Sequence, residues 1–410
     1  MKPRTLWTVL SLLVVGAIAL TGCGQALPTG PMTIRLWHQE GEAENAAQYV
    51  QALADAYTAE HPNVTFEVTN PGDTELLRQD FQTAALAGSP PDLLWTVNDH
   101  AGPFTTADII VPVDDLVDLG LYADGALAAV DLNGQHWGVP ISNGNHLMLY
   151  YNKDLVPTPP ADTDELLAMA EDLKAQGVTP LVYNQTEPFW LVPWLGGFGG
   201  KVFAEDGVTP TLNTSEMVAT LAWLKQLKDD GIVPPESDYN GADTLFLEGK
   251  AAMIVNGDWT LGSYKEKFGD SLGVARIPIV SSTGTPPAPF TSGKFFMVPA
   301  GLDEDTQAVV VDFMEFATNQ ANQLNMVSVL SRLPALKTAL ADDSITSDPY
   351  LAGSADQMVV GSPMPTVVEM RCNWDSMKPE MLAVLAGDKT PEDAAAAMQS
   401  AADACLLTLE

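Results

Sequence analysis

Between Thr33 and Val68 the chain alternates its apolar side chains, then spaces them for a helix, then alternates them again. The first alternation is Thr33-Ile34-Arg35-Leu36-Trp37; Val50, Leu53, Ala54 and Tyr57 carry the helical spacing; Val64, Phe66 and Val68 close the unit. A period of two buries one face of a strand and a period of 3.6 buries one stripe of a helix. The unit therefore reads strand, helix, strand, the signature of an α/β sheet with crossover helices. The pattern recurs. Phe81 to Ala87 reads as a helix stopped by Gly88, and Pro91-Asp92-Leu93-Leu94-Trp95 as a buried strand ending at the polar turn Asn98-Asp99. Asp162 caps a helix carrying Glu165, Leu166, Leu167, Ala170 and Leu173. Asn213 with Glu216 opens another, which Gly231 and Pro234 end. Further helices are expected around Val309 to Ala317 and in the alanine-rich tail from Pro391 to Leu407, and no internal repeat is visible.

The 410 residues exceed what one hydrophobic core serves, which suggests two lobes. Lys2 and Arg4 precede an apolar run from Leu6 to Leu20, then Thr21-Gly22-Cys23. That is the layout of an export signal; the run falls short of the roughly 20 residues a membrane span needs. Leu20-Thr21-Gly22-Cys23 resembles the bacterial lipobox, so residues 1–22 are expected to be a lipoprotein signal peptide and Cys23 the lipidated residue. A chance cysteine behind an ordinary export signal is the alternative. Residues 23–30, with Pro28 and Gly30, read as a tether. Setting Cys23 aside leaves Cys372 and Cys405 in a compartment where disulfides persist, and they are either bridged or two separate buried thiols.

With 53 acidic and 19 basic residues the net charge is −34, which opposes nucleic acid and anionic lipid as partners. An acidic, solvated surface accounts for the excess. Signals for catalysis are wanting. Gly269-Asp270-Ser271-Leu272-Gly273 matches a nucleophile-elbow pattern, yet that arrangement needs a histidine after the serine, and the last of the five is His146. The histidines lack metal-ligand spacing, Lys250 and Lys294 follow glycines without the rest of a phosphate loop, and no cofactor or metal is expected. What the chain does offer is rings beside polar loops: Trp95, Phe189, Trp190, Trp194, Trp259 and Trp374. A sugar has apolar C–H faces and a rim of hydroxyls, so a sugar site wants flat rings with carboxylates or amides around them. Each ring is equally open to a packing role.

Trp137-Gly138-Val139-Pro140 followed by Leu149-Tyr150-Tyr151-Asn152-Lys153-Asp154-Leu155, Leu245-Phe246-Leu247-Glu248-Gly249-Lys250-Ala251-Ala252-Met253 leading to Asn256-Gly257-Asp258-Trp259, and Leu385-Ala386-Gly387-Asp388-Lys389 before Thr390-Pro391-Glu392 stand in a telling order. Over nearly all of the mature chain this order resembles the extracellular solute-binding proteins of ABC importers, in the cluster that includes maltose- and maltodextrin-binding proteins. The resemblance implies the two-lobed periplasmic-binding-protein fold of type II, each lobe a central sheet flanked by helices, with a ligand cleft at a multi-segment hinge. Lobe I is expected to hold residues 31–145 and 275–345, and lobe II residues 146–274 and 346–410, with crossings near 141–149, 273–280 and 335–350.

The resemblance also implies roles. Glu187-Pro188-Phe189 resembles a segment that supplies a carboxylate and a stacking ring, with Trp190 beside it; Trp259 and Trp374 match further stacking rings. Asp99 matches an acid at a strand end, and Glu40 or Glu42 lies in the loop after the first strand, each equally open to being a solvated surface acid. Maltodextrin binders place an acidic residue at the crossover where this chain has Asn143 and Asn145, either of which can offer an amide instead. The implied function is capture of a sugar, an oligosaccharide such as a maltodextrin, by a monomeric, exported, lipid-anchored protein that is not an enzyme and delivers its load to a membrane permease. The same fold binding a polyol, a glycerol phosphate or another sugar is the alternative; only six arginines argue against phosphate. A surface glycan-degrading enzyme and an adhesion protein are the remaining ones.

Overall fold

The computed structural model describes residues 27–41 and 45–409. The signal segment, Cys23 and Glu42 lie outside the described residues. Two sheets organise the rest. In the first, the strands run in the order Val64–Thr69, Met32–His38, Leu93–Val97, Lys294–Pro299, Ile110–Val111, and Val139–Pro140 also pairs with Lys294–Pro299. Met32–His38 is parallel to both neighbours, while Lys294–Pro299 returns antiparallel. The second sheet has the order Leu272–Ala275, Leu147–Asn152, Ala251–Gly257, Thr179–Val182, and only the last pair is parallel.

Leu93–Val97 in the first sheet and Leu147–Asn152 and Ala251–Gly257 in the second are buried on two faces. Leu147, Leu149 and Tyr151 point into one apolar cluster while Met148 and Tyr150 point into another. Leu93 and Trp95 likewise part company with Leu94. Successive side chains on a strand face opposite ways, so a strand covered by helices on both sides must be apolar throughout. The helices Ala46–Glu60 and Glu304–Ala317 cover one face of the first sheet through Tyr49, Val50, Leu53, Tyr57, Val310 and Phe313. Asp162 caps its helix as expected, accepting from the Glu165 amide at 2.9 Å. The cap of the helix Ser215–Asp229 is Thr214 and not Asn213: the Thr214 hydroxyl reaches the Met217 amide, and the Asn213 backbone is taken by Gln399.

Three segments pass between the sheets and are bonded to one another. Ile141 N donates to Lys294 O, Gly144 N and Ser292 N exchange bonds with each other's carbonyls, and Asn143 N donates to Leu333 O, all at 2.7 to 2.9 Å. A Cβ on Gly293 would stand 2.0 Å from Ser142 O, so only glycine lets these backbones approach. The second crossing is at 290–294 and not at 273–280, because Ile277 and Val280 bury in the second-lobe cluster and Thr163 N donates to Ile279 O. The third lies near 331–336: Leu333 packs with Met148 and Tyr150, whereas Ala335 packs with the first sheet, and Ile345 and Leu351 have returned to the second. Residues 275–289 and Ile345 therefore leave the first lobe to which sequence reading had given them.

A disulfide joins Cys372, in the helix Met370–Ala386, to Cys405, in Pro391–Leu406, with Cα atoms 5.6 Å apart. Closing a 33-residue separation removes unfolded-state freedom equivalent to about 3 to 4 kcal/mol. Cys405→Ala should lower the free energy of unfolding by about that amount, measured by urea titration of the oxidised protein. Reduced wild type should fall to the level of the variant.

Candidate functional site

In open α/β sheets, ligands bind beyond the carboxyl ends of the strands. Here those ends converge from two sides. Met32–His38 delivers Gln39 and Glu40, and Leu93–Val97 delivers Asn98 and Asp99. From the second sheet Thr179–Val182 leads to Glu187, Phe189 and Trp190, and Ala251–Gly257 to Asp258 and Trp259; the first turns of Met370–Ala386 add Trp374. The two sides touch. Asn98 Nδ2 donates to Met364 O at 2.9 Å, the Trp374 indole N–H donates to the Asp99 carboxylate, and Arg371 Nη1 meets Glu75 Oε2 at 2.7 Å. Lys294 Nζ stands 5.9 Å from the centre of the Trp259 ring. The cleft between the lobes is closed in this structure.

Glu40 is placed differently from the exposed acid that sequence reading describes. Its carboxylate is 3% exposed and takes both guanidinium nitrogens of Arg332, at 2.8 and 2.9 Å, plus the Trp95 indole N–H at 2.6 Å. Burial alone would raise its pKa, but Arg332, Lys294 and the two donors hold it down at about 2. With three hydrogen bonds on its two oxygens, Glu40 belongs to the frame of the cleft. Asp99 is the opposite case. Burial pushes its pKa up to about 6 against the pull of the Trp374 N–H, Lys294 and Arg371. Asp99 Oδ1 and the neighbouring Asn98 Oδ1 are buried without a partner among the described residues.

The rings form one continuous wall on the second lobe. Phe189 lies 5.7 Å from Trp190, 6.3 Å from Trp259 and 6.4 Å from Trp374, between ring centres. Trp190 is buried and anchored by its N–H to Val255 O at 2.9 Å, so it backs the wall; Trp259 is held by Tyr239 Oη at 2.9 Å. Phe189, Trp259 and Trp374 are only partly buried. Trp95 and Trp194, at 1% exposure each, belong to the cores. Glu187 sits beside the wall, half exposed, 2.5 Å from Lys378 Nζ. The crossing amides are mostly occupied with the hinge: Asn145, at φ 50°, is buried, with its N–H on Asp258 Oδ2 and its side chain 3.4 Å from Ser292 Oγ. Asn143 lines a groove with Leu333, Leu340, Ile345 and Met358.

The site roles of Lys294, Arg332, Asp258 and Tyr239 escaped sequence reading. Asp258 lies inside the segment Asn256-Gly257-Asp258-Trp259 and Lys294 only follows a glycine; hinge crossings and a distant helix bring the four together. Among the described residues no cluster could hold a metal ion, and no helix is long and apolar enough to cross a membrane.

A family model described as bacterial extracellular solute-binding protein matches residues 52–353. The chain belongs to that family. The maltotriose-binding protein of Pyrococcus abyssi is 27% identical over 366 residues, covering 86% of this chain and 78% of the relative. Among solved structures, the maltose/maltodextrin-binding domain MalE from Bdellovibrio bacteriovorus, bound to maltotriose, superposes with a TM-score of 0.87 at 35% identity, covering 92% of this chain and all of that one. The Thermus thermophilus maltotriose-binding protein gives 0.83 at 25% identity, covering 91% and 100%. The two-lobed periplasmic-binding fold is thereby established for this solute-binding protein.

Glu40 and Arg332 supply the first test. Removing one partner of a buried pair strands the other charge, so Arg332→Met should cost about 3 kcal/mol or more. Because the Glu40 pKa is depressed, the pair's contribution is complete above its ordinary value and fades as pH falls towards about 2. Thermal unfolding from pH 7 to pH 3 should therefore show the gap between wild type and variant shrinking on acidification.

Proposed function

We propose that this protein captures a neutral oligosaccharide of the maltodextrin class in the cleft and presents it, closed, to the permease of an ABC importer. One observation carries the reading: a wall of three accessible rings, Phe189, Trp259 and Trp374, opposes buried oxygens of Asn98 and Asp99 that lack a partner among the described residues. Rings take the C–H faces of a sugar, and oxygens that would otherwise stay unsatisfied take its hydroxyls. The names of the relatives support the same substrate class. In this account Glu187 binds a hydroxyl at the rim, Asp99 binds one at the floor, and Asn145 reaches the ligand only by giving up its hinge contact.

Cys23 lies outside the described residues, and its lipidation, with export to the outer face of the cell membrane, is part of the proposal. So are the monomeric state and the absence of catalysis. Transport energy comes from a separate ATPase. A ligand favours closure only if it touches both lobes, which an oligosaccharide lying between the ring wall and Asp99 does.

Tryptophan-fluorescence and calorimetric titrations of the purified protein should cover maltotriose, longer maltodextrins, other oligosaccharides, monosaccharides and glycerol phosphates. Saturable binding of a maltodextrin near micromolar, about −8 kcal/mol, without release of shorter sugars is expected. Trp259→Ala and Trp374→Ala should each weaken it about tenfold or more. Silence towards every saccharide would remove the sugar assignment, and sugar turnover would make the protein an enzyme.

A further inference from the structure

Lys294 is the first residue of its strand after the second crossing, so it belongs to the first lobe while its ammonium faces a ring of the second. An ammonium carries three N–H donors and no acceptor. With its amide donating to Trp95 O and Thr96 Oγ1, Gln39 offers its oxygen to Lys294 Nζ at 3.3 Å. Among the described residues no carboxylate lies within ion-pair distance of Lys294, although Glu40, Asp258 and Asp99 all act on it through charge. Burial lowers the lysine's pKa and Glu40 opposes that, so the three acids help keep the group charged. Glu40 meanwhile is committed to Arg332. A cation with spare donors thus stands beside the Trp259 ring and acts through charge on Asp99, whose Oδ1 has no partner among the described residues.

A donor and an acceptor in one cleft suit a group that is itself both. A hydroxyl accepts from an ammonium and donates to a carboxylate, and adjacent hydroxyls on a pyranose ring do so twice. We propose that Lys294 is a specificity-determining residue, binding one or two hydroxyls of the glycosyl unit that stacks on Trp259, with Asp99 accepting hydrogen bonds from the same hydroxyls. This rests on the sugar-binding reading above and adds the residue and the ligand group that set selectivity. The surroundings also select on charge: three carboxylates face two cations, so a neutral sugar is accepted and a phosphate or uronate is disfavoured. A site with buried hydrogen-bonding groups rejects an analogue that lacks the matching hydroxyl, because those groups are then left unpaired.

The test is a cycle of Lys294→Met and Lys294→Gln against maltotriose and a panel of singly deoxygenated maltotrioses, by calorimetry on the full chain. Circular dichroism and thermal unfolding confirm that each variant is folded, and the glutamine variant serves should methionine fail to fold. Loss of a charge-assisted bond corresponds to roughly 10- to 100-fold weaker maltotriose binding. The analogue that loses most against wild type should lose nothing further against the Lys294 variants, a coupling that a merely structural lysine would not produce. Wild-type affinity in both variants, or additive losses in the cycle, would overturn the role of Lys294 and leave sugar binding standing. Failure of the wild type to bind any saccharide would overturn both.

Discussion

The buried bidentate pair between Glu40 and Arg332 is the contact on which the rest of the cleft depends. Glu40 lies just past the first strand, Arg332 belongs to the third crossing, and the Trp95 N–H ties in a neighbouring strand. Two charges at 2 to 3% exposure are costly to desolvate, and they hold only because the geometry is fork to fork. The same pair removes one carboxylate and one guanidinium from the cleft's free charges. What remains free at the floor is Lys294 and Asp99, and the ligand chemistry follows from that remainder.

Around this anchor the hinge is built from backbone. Bonds between 141–144, 292–294 and 333 make a small three-stranded crossing, and Gln323 fastens it by donating to Ile141 O and accepting from Ala335 N. Gly144 and Asn145, both at positive φ, turn the chain past Asp258. Hinge closure around a ligand is the general behaviour of two-lobed binding proteins. In this one the cross-lobe contacts Asp99 to Trp374, Asn98 to Met364 and Arg371 to Glu75 define the closed state. None of them spans the hinge itself, so they form and break with the lobes' relative position.

The sequence made the α/β class and most elements legible, since period two and period 3.6 are local properties, and Leu93–Val97, Leu147–Asn152 and Ala251–Gly257 are runs buried throughout. The ring wall was legible too, because Phe189, Trp259 and Trp374 each follow a strand or open a helix within a recognisable segment. Trp95 and Trp194 looked the same from sequence and proved to be core, since flanking polar residues say nothing about which face of a strand or helix a ring occupies. Glu40 misled for a related reason: the arginine that buries it is 292 positions away. The second crossing was misplaced because Ile277 and Val280 give no local sign of the helix and strand they pack against. Lys294 gave no site signal beyond the glycine before it, its environment being assembled from Gln39 and Glu40, from Asp99 and from Trp259, which are far apart in the chain.

The central claim is that a sugar shuts the lobes by bridging the ring wall and the floor. Pulsed electron resonance between spin labels at Leu86→Cys on the first lobe and Leu382→Cys on the second measures this directly, both positions being exposed and away from the cleft. Saturating maltotriose should convert a broad, longer distance distribution into a single shorter one that matches the closed structure. A distribution unmoved by maltotriose and by every other bound saccharide would contradict the account.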